Sequence, residues 1–312
     1  MTETDWTFGA TWPYEPRFFE TESGRMHYID QGPRSAPAVV FLHGNPTWSY
    51  LFRQLIGPLV SDGHRVLSVD HLGFGRSAVP DEAEHYTVER HSHRLATLLD
   101  SCALRDVTLV VHDWGAPIGL PWAAQRPEAI RGLFVLNTFA PHLPGPMGQR
   151  SSLRLLRSRL LGQMLVKGRN LPTEQFLFKA GTAHPEAFDE TVKQAYRAPH
   201  PDRRSRTPML VFPREIPMTA DHPVAKLVNS TTAKLKSQLA DKPVGICWGM
   251  KDVLFGEQVL DQWQQLFPHA QVHRIPDAGH FLPEDAPQQV LHRLTDFLSP
   301  PPAGPRPRAK AS

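Results

Sequence analysis

Apolar-rich runs of strand length alternate with helical patterns over the first part of the chain. Three such runs are Ala38–Leu42, Arg65–Val69 and Val107–Val111, each followed by a loop and then by a helical stretch. Near-continuous apolar runs are typical of strands that are buried on both faces of a parallel sheet. Strands and helices in this alternation therefore predict a doubly wound α/β fold.

The alternation stops after Thr138 and resumes after about Asp241. The stretch between them is helical in places, rich in proline and arginine, and contains no convincing run of buried strands. Two further strand-length runs come after it, Val244–Trp248 and Gln271–Ile275, and then a helical pattern over Pro287–Leu298. We expect the insertion to form a cap over the carboxyl edge of the sheet, where open α/β sheets bind ligands.

These patterns also predict how the chain is divided. An antiparallel hairpin with a turn at Ser23-Gly24 is expected near the start of the core. The tail has prolines and basic residues but few apolar ones, which favours disorder. The expected parts are a core of residues 15–137 and 242–298, a helical cap of residues 138–241, an N-terminal arm of residues 1–14 and a tail of residues 299–312.

Composition narrows the class of protein. Hydrophobic residues make up 40% of the 312 residues, enough for a substantial core, and the net charge is only +3. The local basic runs are not interleaved with aromatic residues, which argues against nucleic-acid binding. No apolar stretch is long enough for a membrane span, and the N-terminus does not resemble a signal peptide. Cys102 and Cys247 are expected to be buried free thiols in a cytoplasmic protein.

A short turn, Val111-His112-Asp113-Trp114-Gly115, lies between the third apolar run and a helical pattern. A strand that turns sharply into a helix around one reactive side chain has the layout of a nucleophile elbow. The central residue of such elbows is usually serine, whereas here it is Asp113. A lone aspartate after a strand is more often a helix cap, so this interpretation needs support from residues later in the chain.

Two later residues complete a possible nucleophile, acid and base in the order Asp113, Asp252, His280. All three come after predicted strands, and a parallel sheet brings such positions to one edge. Taken singly, Asp252 fits a helix cap and His280 a structural histidine. The other common position for the acid, at the end of the strand before the cap, contains no carboxylate over Leu136–Phe139, which favours Asp252.

An aspartate nucleophile predicts a particular chemistry. A carboxylate that attacks a saturated carbon forms an alkyl ester, and water can hydrolyse that ester at the carbonyl carbon of the aspartate. His280 would activate the water as general base. Asp252 would hold the imidazole in the required tautomer. The substrate should therefore carry a leaving group on a saturated carbon, such as a halide or an epoxide oxygen.

The leaving group distinguishes these substrates. A departing halide needs N–H donors in a dry site, and the Trp114 indole and the Asn45 side-chain amide are candidates for that role. Their backbone N–H groups would then form the oxyanion hole. The alternatives are a packing tryptophan and a turn asparagine. An epoxide would instead need a proton donor from the cap, and of the five tyrosines only Tyr196 lies there.

At these residues the chain resembles the haloalkane dehalogenases of the α/β-hydrolase superfamily. The resemblance implies a mostly parallel eight-stranded sheet flanked by helices, with a helical cap inserted after the sixth strand. It spans roughly residues 18 to 298. The pieces that carry it are His43–Tyr50, Asp70–Ser77, His112–Gly115, Phe212–Pro217, Trp248–Asp252 and Gly279–Pro283.

The subfamily is indicated by where the halide donors and the acid lie. None of the seven tryptophans falls in the insertion, so Asn45 would have to be the second halide donor. Asn45 combined with Asp252 is similar to the third subfamily, which also includes β-lactone decarboxylases of long-chain olefin biosynthesis. The resemblance therefore implies hydrolytic dehalogenation of a haloalkane. The alternative is decarboxylation of a long-chain β-lactone.

Epoxide hydrolysis and a non-enzymatic binding protein are weaker hypotheses, the latter because the triad is intact. The expected partners are a small apolar substrate, water and a halide product, with no metal or organic cofactor.

The segment Ser152–Leu165 is predicted to be a basic amphipathic helix with Leu153, Leu156, Leu160 and Met164 on one face. It would line an apolar pocket or contact a membrane surface or a partner enzyme.

Overall fold

A computed structural model describes residues 4–143 and 155–299 of the chain. Its eight strands, β1 to β8 in chain order, are Arg17–Phe19, Met26–Gln31, Ala38–Leu42, Arg65–Val69, Val107–Asp113, Ile130–Thr138, Val244–Gly249 and Gln271–Ile275. They form one sheet in the order β1-β2-β4-β3-β5-β6-β7-β8. The β1/β2 and β2/β4 pairs are antiparallel, and the remaining pairs are parallel.

The central strands confirm the predicted parallel sheet. Every residue of β3, β4 and β5 is buried, as expected for strands covered by helices on both faces. The predicted bounds of β3, β4 and β8 are confirmed, whereas β5 continues to Asp113 and β6 extends over Ile130–Thr138. The predicted hairpin is confirmed as β1 and β2, and Gly24 in its turn has φ +113°, a value that favours glycine.

Helices cover the sheet and fill the insertion between β6 and β7. No helix in the described ranges is long and apolar enough to cross a membrane. Cys102 and Cys247 are buried free thiols, as predicted. The α-helices are Arg53–Ser61, Val88–Ser101, Gly115–Gln125, Arg159–Gly162, Glu190–Arg197, Thr207–Glu215, Pro223–Gln238, Glu257–Leu266, Leu282–Asp285 and Pro287–Leu298.

Short helices of other types join these elements. The 3₁₀-helices are Ser49–Phe52, Ala83–Tyr86, Pro127–Ala129 and Pro185–Ala187, and the π-helices are Gln163–Gly168 and Pro172–Ala180. Both π-helices lie in the insertion. Such segments are rare in proteins and often occur at functional sites, which draws attention to this part of the chain.

The prediction of one continuous helix over residues 152–165 is wrong in its described part. A new helix begins at Arg159, and the Ser158 side chain caps it by accepting a hydrogen bond from the Gly162 N–H group. The predicted apolar face is also divided, because Leu156 is half-buried whereas Leu160 is 81% exposed. Residues 152–154 and the tail from residue 300 onward lie outside the described residues, so the predicted position of Leu153 and the predicted disorder fall there.

Buried polar contacts attach the insertion to the core. The Trp48 indole donates to the Ala195 carbonyl across 3.0 Å. Glu284 accepts from the Arg53 guanidinium, with one contact at 2.8 Å, and also from the Tyr196 hydroxyl. A buried ion pair with further hydrogen bonds has a defined geometry, so these contacts set the position of the helices above the sheet edge.

Candidate active site

The elbow at Asp113 is tight, and neighbouring glycines make it possible. Asp113 has φ +50°, a conformation that non-glycine residues rarely adopt outside special sites. A Cβ atom on Gly115 would lie 2.1 Å from the Leu42 carbonyl oxygen, and one on Gly44 would lie 2.1 Å from Asp113 Oδ1. The two glycines let β3, its loop and the elbow approach one another, so that the Asp113 carboxylate meets the loop after β3.

The two carboxylate oxygens of Asp113 face different groups. Oδ1 accepts a hydrogen bond from the Asn45 backbone N–H at 2.8 Å. Oδ2 lies 3.6 Å from His280 Nε2. Burial raises the pKa of Asp113 to about 6, although His280 and the backbone N–H groups of Asn45 and Trp114 oppose the rise. The carboxylate is therefore ionised at neutral pH but poorly solvated, which favours its reaction as a nucleophile.

His280 and Asp252 form a buried pair. His280 Nδ1 lies 2.9 Å from Asp252 Oδ2, and since a carboxylate oxygen accepts, Nδ1 carries the proton. Burial alone would lower the pKa of His280, but the charge and hydrogen bond of Asp252, with the charge of Asp113, raise it. His280 Nε2 makes no hydrogen bond within the described ranges, so it is available to accept a proton near Asp113.

Asn137 is a site residue whose role sequence reasoning missed. Its side-chain amide donates to Asp252 Oδ2 at 2.9 Å and to the Gly249 carbonyl, while its Oδ1 accepts from the Gly249 N–H group at 2.7 Å. It therefore joins the ends of β6 and β7 and orients the acid. The sequence shows a polar residue at the end of a strand that should meet the same sheet edge, but the contact of Asn137 with Asp252 is visible only in the structure.

Two contacts hold the backbone of His280, and neither was predicted. Burial lowers the pKa of His112 well below its ordinary value, so its ring is neutral. His112 Nε2 donates to the His280 carbonyl at 2.9 Å, since a carbonyl oxygen can only accept. On the other side, the His280 N–H group donates to the Gly181 carbonyl at 2.7 Å. The core and the insertion thus both contact this histidine.

A cavity of about 360 Å³ opens above Asp113. Its lining is almost entirely apolar, as is usual for sites that bind small ligands. The loops after the strands contribute Asn45, Asp113, Trp114, Phe139, Val253, Leu254 and Phe255, and the insertion contributes Leu156, Leu171, Pro172, Gln175, Phe176, Ala180, Pro213 and Ile216.

The two predicted halide donors both line this cavity with Asp113. Neither Trp114 Nε1 nor the Asn45 side-chain amide donates a hydrogen bond to any residue that the structure describes. The Trp114 ring is held by Phe139 and Phe212, with ring centroids 4.2 and 5.0 Å away. A charged group that leaves a carbon near Asp113 would therefore lie beside two N–H donors in apolar surroundings, where such donors are most effective.

The Tyr196 hydroxyl is not in this cavity. It is fully buried and donates to Glu284, and the ring stacks edge-on against Tyr50. Burial raises the pKa of Tyr196 well above its ordinary value, so it stays protonated as that donor. Its position fits the anchoring of the insertion and does not fit protonation of an epoxide oxygen next to Asp113.

The structure brings together the five site residues predicted from the sequence, which are Asp113, Asp252, His280, Asn45 and Trp114. It offers an ionised oxygen at the base of an apolar cavity, N–H donors beside it and the His280 Nε2 atom 3.6 Å away. Such a site can displace an anion from a saturated carbon and then hydrolyse the resulting ester.

Comparisons with known proteins identify a matching family and similar chains. Residues 37–287 match the model of the alpha/beta hydrolase fold. The chain is 36% identical to a cis-3-alkyl-4-alkyloxetan-2-one decarboxylase of Shewanella oneidensis, over 92% of this chain and 89% of that protein. It is 34% identical to a haloalkane dehalogenase of Mycobacterium marinum, over 89% of this chain and 90% of that one.

A solved structure agrees as well. A loop variant of a haloalkane dehalogenase from Bradyrhizobium elkanii superposes with a TM-score of 0.80 and 27% sequence identity, covering 91% of this chain and 95% of that one. The similarity therefore includes the insertion as well as the sheet.

Proposed function

The chain belongs to the α/β-hydrolase family, in the group shared by haloalkane dehalogenases and cis-3-alkyl-4-alkyloxetan-2-one decarboxylases, and on this premise we propose that it hydrolyses haloalkanes through an ester on Asp113. The products are an alcohol, a halide ion and a proton. The observation that carries the proposal is that Asp113 lines an apolar cavity while its Oδ2 atom lies 3.6 Å from His280 Nε2.

In the first step, Asp113 Oδ2 attacks the carbon that carries the halogen. The carbon–oxygen bond forms as the carbon–halogen bond breaks, and the halide leaves with the bonding electron pair. The Asn45 side-chain amide and the Trp114 indole N–H then donate to the halide. No proton moves in this step, so His280 is not used as a base.

In the second step, His280 Nε2 removes a proton from a water molecule while the water oxygen attacks the Asp113 carbonyl carbon. The negative charge that develops on Oδ1 is met by the backbone N–H groups of Asn45 and Trp114. The intermediate collapses, the alcohol departs with Oδ2, and the imidazolium returns the proton to it. Asp252 stabilises the imidazolium during this step.

An isotope experiment tests the ester. In water enriched in heavy oxygen, a single turnover with a 1-bromoalkane should place the label in the peptide that contains Asp113, because water attacks the aspartate and not the substrate. A His280→Gln variant should still release about one bromide per chain and then stop, with the alkyl mass retained on that peptide. Label found only in the alcohol would show direct attack by water.

A second candidate function is decarboxylation of a β-lactone, which the names of two similar proteins support. Two decarboxylases, at 36% and 30% identity, are among the similar proteins. Asp113 would attack the saturated ring carbon bonded to the ring oxygen and release a carboxylate that stays attached to the substrate. Loss of carbon dioxide then supplies the electrons for the double bond, and the Asp113 carboxylate departs. The alkene needs no water oxygen.

Competing assays separate the two functions. Bromide release from 1-bromoalkanes is measured beside alkene formation from a β-lactone with two long alkyl chains. Dehalogenation as the main activity predicts rapid bromide release. Rapid alkene formation with negligible bromide release would make decarboxylation the function of this site. Asp113→Ala should abolish both activities, because both begin with the same attack.

We also propose that the segment after residue 154 contacts a membrane surface. Leu155, Leu160, Leu161 and Met164 are exposed apolar residues beside the exposed Arg159, a composition that suits the interface of an anionic bilayer. The protein should sediment with phosphatidylglycerol vesicles and lose this binding in a Leu160→Ser/Leu161→Ser variant. Equal recovery in the supernatant with and without vesicles would overturn the proposal.

A further inference from the structure

We propose that Asp285 is a positioning residue that fastens the loop of the general base to the inserted helices, and that this contact sets the rate of ester hydrolysis. The inference rests on the function proposed above. It concerns a carboxylate that lies outside the cavity and does not contact the reacting atoms, so its role must act through His280.

The carboxylate of Asp285 joins two segments. Its Oδ2 accepts hydrogen bonds from the Gly279 N–H group at 2.6 Å and from the Ala183 N–H group at 2.9 Å. Its Oδ1 accepts from the Thr182 hydroxyl and from the His184 N–H group, the latter at 3.3 Å. One side chain therefore accepts hydrogen bonds from the residue before His280 and from three consecutive residues of the insertion.

The two segments also contact each other directly. The Gly181 carbonyl accepts from the His280 N–H group at 2.7 Å and from the Phe281 N–H group at 3.3 Å. A Cβ atom on Gly279 would lie 2.7 Å from the Gly181 carbonyl oxygen. The loops pack so closely that only glycine fits at Gly279. The Asp285 carboxylate lies beside this contact and accepts hydrogen bonds from both loops.

His280 is thus held by three groups of different origin. Asp252 holds the imidazole at Nδ1, and His112 holds the carbonyl at 2.9 Å. Both of these belong to the sheet edge. The N–H group is held by Gly181, which belongs to the insertion, and Asp285 binds the three residues that follow Gly181. Loss of these contacts would let Nε2 move relative to the Asp113 ester and to the water molecule that attacks it.

The two chemical steps respond differently to such movement. Attack by Asp113 on the substrate does not use His280, whereas hydrolysis needs Nε2 within hydrogen-bond distance of water. A misplacement of about 1 Å in a catalytic group can cost roughly 100-fold in rate. Removal of the Asp285 carboxylate should therefore slow hydrolysis selectively, while a residue that served only general stability would lower both steps together.

Asp285→Ala tests this with a burst experiment on a 1-bromoalkane. The first-turnover release of bromide should stay within about 3-fold of the parent, while hydrolysis slows by roughly 10- to 100-fold and the alkyl mass accumulates on Asp113. Asp285→Asn keeps one acceptor oxygen and should give a smaller loss. Equal slowing of both steps, or unchanged hydrolysis, would overturn the inference.

A matched control is available in the insertion. Asp189 caps the helix Glu190–Arg197 by accepting from the Val192 N–H group at 2.8 Å, and none of its hydrogen bonds within the described ranges reaches the His280 loop. Asp189→Ala should leave the ratio of the two steps as in the parent, even if thermal stability falls. An Asp189→Ala variant with the same selective loss of hydrolysis would contradict a specific role for Asp285.

Amide hydrogen exchange provides a test that needs no substrate. Exchange in the peptide that contains Gly279–Asp285 should be faster in Asp285→Ala than in the parent or in Asp189→Ala. If the parent forms no ester with any haloalkane, the proposed function fails while this exchange result still decides the positioning role. Unchanged exchange would show that Asp285 does not hold the loop.

Discussion

The wall of the cavity formed by the strand ends differs from the wall formed by the inserted helices, both in polarity and in how its side chains are held. Asn45, Asp113 and Trp114 supply the polar groups on the strand side. The opposite wall is apolar apart from Gln175, and part of it is the π-helix Pro172–Ala180. From this comparison we expect the sheet edge to supply the chemistry and the insertion to select the substrate.

The strand side is also the more constrained of the two. Asp113 is fixed by a strained elbow, and its neighbours pack so closely that a Cβ atom on Gly44 would lie 2.1 Å from Asp113 Oδ1. Rigid elements hold reacting groups more accurately than loops do. Variants on the two walls should therefore differ in kind, with losses of rate on the strand side and changes of substrate preference on the other.

The largest expected effect comes from the nucleophile. Asp113→Ala should lower turnover of a 1-bromoalkane by about 10⁵-fold or more, because the variant cannot form the ester. Bromide release with time is the measurement, and an unchanged circular dichroism spectrum is the control for folding. Substantial activity in this variant would place the chemistry on another residue.

The acid should have the next largest effect. Asp252→Asn should lower steady-state turnover by roughly 10⁴-fold, since an amide favours the wrong tautomer of His280 and no longer stabilises its cation. Release of the first bromide should be much less affected, and stopped-flow halide detection separates the two. Equal losses in both steps would show that Asp252 acts on Asp113 as well as on His280.

The pH dependence should give a smaller effect on the first step. Asp113 must be ionised to attack, and burial raises its pKa to about 6. First-turnover bromide release should therefore be constant above about pH 7, fall as the pH drops through 6 and be about 10-fold lower at pH 5. Rapid-quench measurements at constant ionic strength give this profile. A first step with the same rate at pH 5 and pH 8 would contradict the raised pKa.

The smallest effect is expected on the apolar wall. Leu156 lines the cavity, and Leu156→Ala should change kcat/KM for bromoalkanes by about 10-fold or less, with an altered preference for chain length. Leu160, which is 81% exposed nearby, provides a matched control, because Leu160→Ala should leave that preference unchanged. A series of 1-bromoalkanes measures both. Equal shifts in the two variants would show that Leu156 does not contact the substrate.

Much of the fold and of the site can be predicted from local sequence. The apolar run Ala38–Leu42 has the same bounds as β3, and the elbow is recognisable from Asp113 between a strand and a helix. The residues predicted to meet at the sheet edge do so, because parallel strands bring their carboxyl ends to one edge wherever they lie in the chain. The apolar spacing that predicted one helix over residues 152–165 did not reveal that Ser158 caps a separate helix.

What the sequence by itself determined is the succession of strands and the candidate nucleophile, base and acid, since each depends on residue type and on position after a strand. Tertiary structure alone decided that Asn137 orients Asp252, that Tyr196 anchors the insertion, and that Asp285 joins the insertion to the loop of His280. These contacts connect residues far apart in the chain, and such pairs leave no periodic signal. Their geometry exists only when the insertion packs against the sheet edge.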